Sequence, residues 1–441
     1  MNYPWLDLPV MGGGLLIALV AITHVYVAQL AVGGGFFLAW TECRLLKGRN
    51  RGQEPAGDSP MWEYLKQHSR YFILITLVAG AITGVGIWFT IGLISPQATS
   101  ILIRNFVWGW AIEWVFFIVE VTAALLYYYA WDRVDHRTHQ LFGWTYAVAA
   151  WLTLAVINGI VSFMLTPGRW LVTGNFWDGL LNPTYLPSLL LRTLASVVMA
   201  GLYALVTGVV QSDAALREKV VGYAARWLVL GLLPMPLAAV WFLRAAPASA
   251  RTMTAGGAPA ASIMLVLAVS ASLFLLLLAY LGPWRQPRSA TALLVVVFLL
   301  LGFVATGTTE WVREAGRKPY VIYGYLYSNG IFAGEEHRFD TGILPAARWA
   351  RVKDVQAADS LAAGEEVFRI QCSSCHTVAG YNGVKPLVAS WDAQYADDQL
   401  QRLSTLKPWM PPFAGSEAER RALALWLESL NRKSPAEEVR P

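Results

Sequence analysis

The residues with the most specific chemistry in this chain are Cys372, Cys375 and His376, which lie in the order Cys-Ser-Ser-Cys-His. At this spacing the two thiols can form thioethers to the vinyl groups of a porphyrin, and the adjacent imidazole can ligate its iron. The chain has only three cysteines, so no disulfide framework competes for this pair, and Cys43 is a bystander. A redox or zinc Cys-x-x-Cys pair is the alternative.

A methionine further along the chain favours the haem interpretation. Met410 lies 34 residues after His376, between Pro408 and Pro411. Methionine is more often a packing residue, but at this position it can supply the second axial ligand. A thioether opposite imidazole raises the haem potential and suits electron transfer. The flanking sequence resembles a single-haem bacterial cytochrome c domain, with helix-like stretches at 363–370 and 417–430.

The composition places this domain beside a membrane. Of the 441 residues, 56% are hydrophobic and only 14% are charged, which is too apolar for a soluble protein and long enough for two units. We assign the net charge of +5 to basic loops of a membrane protein and expect no nucleic-acid partner.

Apolar runs long enough to cross a hydrocarbon core, about 20 residues each, recur along the first three quarters of the chain. We predict eight spans, near residues 14–40, 71–94, 106–131, 141–165, 187–210, 224–243, 260–281 and 291–312. The first lacks the flanks of a cleaved signal peptide and is expected to be retained. The fold class is therefore an all-α polytopic bundle followed by a small α-helical cytochrome c domain.

Loop charge orients this bundle. Connections rich in Lys and Arg alternate with connections that have fewer basic residues. The basic connections are 41–70, 132–140, 211–226 and 282–290. The positive-inside rule makes them cytoplasmic, so both termini lie on the outer side of a bacterial-type cytoplasmic membrane. Haem c is attached on that side, in agreement with the expected location of Cys372.

Ionisable residues inside a membrane are functional candidates. Of six histidines only His24 lies well inside a predicted span, whereas His68, His136 and His139 lie in or beside cytoplasmic loops. Glu113 and Glu120 are seven residues apart, two helical turns, and share a helix face. Glu310 and Glu314 end the eighth span. Ligation and proton relay are one interpretation, and interhelical hydrogen bonding is the other.

Four stretches in order resemble subunit I of the cytochrome bd oxygen reductase superfamily, over about residues 1–325. They are His24 to Gly33, Ala81-Ile-Thr-Gly84 with Phe89 and Gly92, Ala111-Ile112-Glu113 through Glu120 to Trp131-Asp132-Arg133, and Glu314-Ala-Gly316-Arg317-Lys-Pro319-Tyr320. The last is similar to the family's Glu-x-Gly-Arg-Gln-Pro-Trp signature. One residue is missing between the two glutamates relative to the family.

The resemblance implies roles for these residues. His24 and Glu314 would ligate two high-spin haems of b or d type, Glu113 would lie beside them, and Glu120 would belong to a proton route from the cytoplasm. Arg317 would pair with a haem propionate, for which a guanidinium fork is suited. The resemblance also implies a second, homologous membrane subunit beside this one and the lipid.

The departures from the family concern electron entry. Arg192 stands where the family has a histidine ligand of a low-spin b haem, and this replacement argues against that haem. Met264 does resemble the haem's other ligand. The connection that binds quinol in the family is short here, about 244–259, and the family's final span is missing. This resembles the haem-c-containing branch that lacks the quinol site.

These observations predict an oxidoreductase in which a cytochrome c or similar donor reduces one covalent haem c, and oxygen is reduced at the high-spin haems. The alternatives are a non-catalytic electron-relay subunit, and reduction of nitric oxide or peroxide at the same site. The expected domains are a membrane domain at 1–325, a linker at 326–360, a cytochrome c domain at 361–432 and a flexible tail at 433–441.

Overall fold

The computed structural model describes residues 3–49 and 59–431. Residues 50–58 of the first basic connection and the predicted tail at 433–441 lie outside the described residues. Within the described part, eight helical stretches are long and apolar enough to cross a membrane: Gly13–Gly48, Pro60–Ile94, Val107–Tyr129, His136–Phe163, Tyr185–Val209, Ala214–Ala245, Pro259–Trp284 and Ala292–Ala315. The expected helix bundle is confirmed.

Nineteen α-helices occur in the described residues. In chain order, α1 to α10 are Gly13–Arg49, Pro60–Ile73, Gly80–Ile94, Pro96–Asn105, Val107–Tyr129, His136–Phe163, Trp170–Thr173, Phe176–Leu180, Tyr185–Val209 and Ala214–Leu232. Helices α11 to α19 are Met235–Ala245, Ala248–Thr252, Pro259–Ala279, Ala292–Ala315, Ile343–Ala346, Ser360–Gln371, Ala393–Gln401, Leu403–Leu406 and Glu417–Ser429. A short antiparallel hairpin, β1 (Tyr320–Ile322) and β2 (Leu326–Tyr327), is the departure from an all-α fold.

Two helices begin earlier than the apolar runs predict. Helix α2 begins at Pro60, where a proline at the first helical position costs no backbone hydrogen bond. Helix α6 begins after Asp135, whose carboxylate accepts from the amides of Arg137 and Thr138. Helices α2 and α6 therefore include His68 and His139, which the sequence analysis places in or beside cytoplasmic loops.

The chain forms two compact units. In the larger, residues 21–86 and 106–316, α1 packs closely against three other helices through a run of glycines. A Cβ on Gly33 would lie 1.7 Å from the Ser196 carbonyl oxygen, one on Gly34 2.5 Å from the Phe72 ring, and one on Gly35 2.3 Å from the Tyr146 ring. The absence of these side chains therefore sets the spacing of α1 from α9, α2 and α6.

The smaller unit comprises residues 1–20, 87–105 and 317–441. Its core lies between α16 and α19, where Val367, Phe368, Leu423 and Trp426 are buried. Buried Ile343 and Leu344, from the stretch expected to be a linker, belong to the same core. Their amides donate to Glu419, at 2.8 Å each, which ties that stretch to the start of α19.

Candidate haem sites

The Cys-x-x-Cys-His motif closes a tight turn at the end of α16. The amides of Cys375 and His376 donate to the Cys372 carbonyl at 3.0 and 2.9 Å. The Nδ1 atom of His376 lies 3.1 Å from the Asn382 carbonyl oxygen. Because a carbonyl only accepts, Nδ1 carries the proton and Nε2 remains available for a metal.

Burial shifts the protonation equilibria of His376 and Cys372. Burial lowers the pKa of His376, with a smaller opposing effect of the hydrogen bond to Asn382, so the imidazole is in its neutral, ligating form. Burial, and secondarily the neighbouring Cys375, raises the pKa of Cys372 to about 12. A raised pKa disfavours a reactive thiolate at Cys372 when no metal is bound.

Gln371 joins the motif to the Met410 loop. Its side-chain nitrogen donates to the Ala414 carbonyl at 2.6 Å, and its oxygen accepts from the Ala414 amide at 3.0 Å. Both residues are buried. This paired hydrogen bond holds the segment after Met410 against α16, and sequence reasoning missed it because the partners are 43 residues apart.

The residues before α1 pack on the loop that orients His376. The Tyr381 amide donates to the Val10 carbonyl at 2.9 Å, and a Cβ on Gly380 would lie 1.9 Å from that oxygen. The Arg369 guanidinium lies 4.5 Å from the centre of the Trp5 ring. The cytochrome c domain is therefore held by the N-terminal segment, within the same compact unit.

In the larger unit, His24 is oriented as a metal ligand would be. Its Nδ1 lies 3.0 Å from the Thr83 hydroxyl, which donates its single proton to the Ala79 carbonyl at 2.7 Å. Thr83 therefore accepts from Nδ1, and Nε2 is left with its lone pair. A Cβ on Gly84 would lie 3.3 Å from the imidazole, so this glycine leaves room for the ring.

Glu314 lies at a different depth from His24. Helices α1 and α14 pack antiparallel, since a Cβ on Gly302 would meet Tyr26 and one on Gly307 would meet Ile22. Glu314 is seven residues beyond Gly307, about 10 Å along the helix axis and away from the level of His24. The separation suits ligands of two different irons.

Arg192 is committed to an ion cluster. Its guanidinium lies 3.1 Å from one oxygen of Glu310, and Arg313 lies 2.8 Å from the other. The three side chains are mostly buried, with 15% exposure for Arg192 and Glu310 and 21% for Arg313. A guanidinium has no lone pair for iron, so the residue at the expected histidine position links α9 to α14 instead. Met264 lies on α13.

We expect Glu310→Gln to lower the free energy of unfolding by about 3–5 kcal/mol, because two buried guanidinium groups lose their shared anion. Thermal or denaturant unfolding in detergent measures this loss. The matched control is Glu218→Gln, whose partner Arg288 is 83% exposed, and for which a change below about 1 kcal/mol is expected. Equal effects of the two variants would show that the cluster contributes no more than a surface pair.

Glu113 and Glu120 lie on the less exposed face of α5, between exposed residues such as Trp114 and Val115. Glu120 lies 3.4 Å from the Tyr146 hydroxyl, which donates to the Ala31 carbonyl at 2.8 Å. Arg317 is buried and donates to the Val321 carbonyl at 3.0 Å. The shared face of the two glutamates is as predicted from their spacing.

Comparison with known families identifies the membrane part. The model of the family described as cytochrome bd terminal oxidase subunit I matches residues 15–256, more than half of the chain. The chain belongs to this family. Residues 359–427 match the model described as cytochrome c oxidase, cbb3-type, subunit III. This member of the cytochrome bd subunit I family is thus a membrane-embedded oxidoreductase chain with a cytochrome c domain, and haem is its implied cofactor.

A solved structure supports the fold of the bd family. The bd oxidase from Geobacillus thermodenitrificans matches with a TM-score of 0.58 at 16% sequence identity, covering 72% of this chain and 89% of that one. A search of curated protein sequences gave no match. The family match includes His24, Glu113, Glu120 and Arg192 but ends before Glu314.

Proposed function

We propose that this chain is the catalytic subunit of a terminal oxidase that accepts electrons from a cytochrome c or similar donor. Electrons enter at one covalent haem c, in a domain of about residues 361–432, and oxygen is reduced to water at two high-spin haems of b or d type. The observation that carries the proposal is His24, whose Nδ1 donates to Thr83 so that Nε2 keeps its lone pair for a metal.

The chain's own residues then have separate roles. His24 and Glu314 would each hold one high-spin haem iron, and His376 and Met410 would hold the iron of haem c. Arg317 would bind a haem propionate, Glu113 would line the high-spin site, and Glu120 would pass protons toward it. When bound, the haems supply single-electron transfer and an iron with an open position for oxygen.

Electrons enter this chain through haem c and not from quinol. Arg192 stands where the resemblance expects a histidine ligand of the low-spin haem, and its guanidinium pairs with Glu310. The connection between α11 and α13 spans only residues 246–258 and contains the short helix α12. With electrons entering through haem c, neither a quinol loop nor a low-spin haem is required.

The proposed setting is a bacterial-type cytoplasmic membrane, with the N-terminus and the cytochrome c domain on the outer side and protons taken from the cytoplasm. A second, homologous membrane subunit completes the enzyme. The exposed apolar residues of α5, including Trp114 at 62% and Val115 at 56%, suit contact with lipid or with that subunit.

The proposal is tested on the purified protein by pyridine haemochrome analysis, a reduced-minus-oxidised spectrum and oxygen consumption with reduced cytochrome c. We expect one c-type and two b- or d-type haems per chain, and four electrons consumed per oxygen. Haem c without oxygen consumption would favour the electron-relay alternative. A low-spin b signal would contradict the role given to Arg192, and activity with nitric oxide or peroxide alone would change the acceptor.

A further inference from the structure

The ion cluster of Arg192, Glu310 and Arg313 places an uncompensated positive charge inside the larger unit. Glu310 is shared, since Arg192 lies 3.1 Å from one of its oxygens and Arg313 lies 2.8 Å from the other. Two guanidinium groups therefore face a single carboxylate, and all three side chains are mostly buried. Because an unpaired buried charge is costly, this excess calls for a further anion when the protein is assembled.

Glu314 lies beside this charge on α14. It follows Arg313 directly and lies four residues after Glu310, a spacing that puts two Cβ atoms about 5–6 Å apart on one helix face. Glu314 interacts electrostatically with both residues. A free Glu314 carboxylate would balance the excess charge. A ferric iron in a porphyrin carries a positive charge of its own, so a Glu314 that ligates it neutralises the iron instead, and the ion cluster keeps its charge.

One nitrogen of the ion cluster lacks an acceptor. The Nη1 atom of Arg313 is buried and makes no hydrogen bond within the described part of the protein. A buried donor left unsatisfied is costly, so such groups normally meet an acceptor in the functional state. The acceptor that best matches a guanidinium is a carboxylate. A haem brings two carboxylates, its propionates, and the role proposed for Arg317 accounts for only one of them.

We propose that Arg192, Glu310 and Arg313 form a carboxylate-binding site for the haem that Glu314 ligates, and that their excess charge raises the reduction potential of that haem. Arg313 donates to a propionate through Nη1, Glu310 holds Arg313 in place, and Arg192 adds its positive charge from α9. The inference rests on the proposed function, because it takes Glu314 to be an iron ligand. The step concerned is the gain of one electron, supplied through haem c, by the ferric iron.

The charges of the ion cluster fix the direction of each effect on the potential. Reduction adds a negative charge to the haem, so a nearby positive charge stabilises the reduced form. At an effective dielectric constant of about 20, a unit charge roughly 10 Å away changes such an equilibrium about 10-fold. A 10-fold change corresponds to about 59 mV for one electron. Loss of the Arg192 charge therefore lowers the potential, and loss of the Glu310 charge raises it.

The test measures midpoint potentials by spectroelectrochemistry on the purified full-length protein with its haems and partner subunit. The first variant is Arg192→Gln, which leaves Glu310 and Arg313 as a balanced buried pair. The haem component to follow is the one that Glu314→Ala removes. We expect its midpoint potential to fall by about 59 mV, a 10-fold loss in the equilibrium constant for reduction, with haem content unchanged. Arg192→Lys keeps the charge and should retain most of the wild-type potential.

The matched control is Arg288→Gln, which makes the same change of charge in the same unit. Arg288 pairs with Glu218 but is 83% exposed, so solvent screens its charge. We expect the midpoint potentials of this variant to equal those of the wild type. An equal fall in Arg288→Gln and Arg192→Gln would overturn the inference, because the effect would then not depend on the buried position.

Two further variants separate an electrostatic role from a structural one. Glu310→Gln should raise the same midpoint potential in the protein that assembles, whereas a cluster that only joins two helices gives no reason for opposite shifts. Arg313→Gln should move the propionate bending band in the resonance Raman spectrum, because it removes the proposed hydrogen bond. If these variants fail to assemble, Arg192→Gln and Arg192→Lys decide the question.

An unchanged potential in Arg192→Gln, or an unmoved propionate band in Arg313→Gln, would overturn the inference. Either result would leave the ion cluster as a structural link between α9 and α14. A wild-type protein that binds no high-spin haem, or a Glu314→Ala variant that retains both high-spin haems with full oxygen consumption, would instead defeat the proposed function. The two kinds of failure are therefore distinguishable.

Discussion

Replacing Glu314 by alanine is expected to abolish oxygen consumption while haem c remains attached and reducible. Losing an outer-shell partner of a metal ligand typically costs 10–100-fold in activity, so losing the ligand itself is expected to exceed about 100-fold. The haemochrome count of b- or d-type haem should fall by up to one per chain. Oxygen electrode measurements and spectra of the same preparation report the two effects separately.

Controls are needed because Glu314 lies beside other charged residues. Glu314 is the penultimate residue of α14 and interacts electrostatically with Glu310 and Arg313, so its removal also alters a buried ion cluster. Glu314→Gln keeps the side-chain volume and should be equally inactive, because an amide is a poor iron ligand. Glu335→Ala, at an exposed pair with Arg338, should behave as wild type. Full oxygen consumption by Glu314→Ala would remove Glu314 from the ligand set.

The positions of the membrane-spanning helices could be predicted from the sequence because a helix that crosses a membrane needs a long apolar run, which hydropathy detects. Residues 60–70 contain Glu63, Lys66 and Arg70 and fall below that signal, although they form the first part of α2. The local indicators of the earlier starts were present: Pro60 at the first helical position and Asp135 as an N-cap. Reading them would have placed His68 and His139 inside the bundle.

The sequence did not reveal the contacts between side chains that are far apart along the chain. Arg192 and Glu310 are 118 residues apart, and Gln371 and Ala414 are 43 apart. No periodicity or spacing rule links such residues. Each residue taken alone fits a loop or a solvated helix face as well as it fits a buried contact. The ligand candidates were accessible because the haem motif is local and because the resemblance supplied His24 and Glu314.

The second large effect is expected at haem c, where Met410→His should lower the midpoint potential by about 0.2 V. Axial ligands set haem potentials over about 0.8 V, and methionine opposite histidine lies toward the high end. For a one-electron couple each 59 mV is a factor of ten, so a fall of about 0.2 V makes reduction by the donor roughly 10³-fold less favourable. Spectroelectrochemical titration gives the potential, and stopped-flow mixing gives the rate of electron entry.

Two companion variants separate ligation from general disturbance. Met11→His makes the same change at an exposed methionine before α1 and should leave the potential unchanged. Gln371→Leu retains Met410 but removes both hydrogen bonds to Ala414, leaving the buried amide and carbonyl of that residue unpaired, at a cost of about 1–3 kcal/mol. Because the loop is then held less firmly, part of the population should lose the methionine ligand, and the potential should fall by less than in Met410→His. If Met410→His left the potential within experimental error of wild type, another group would have to be the sixth ligand of haem c.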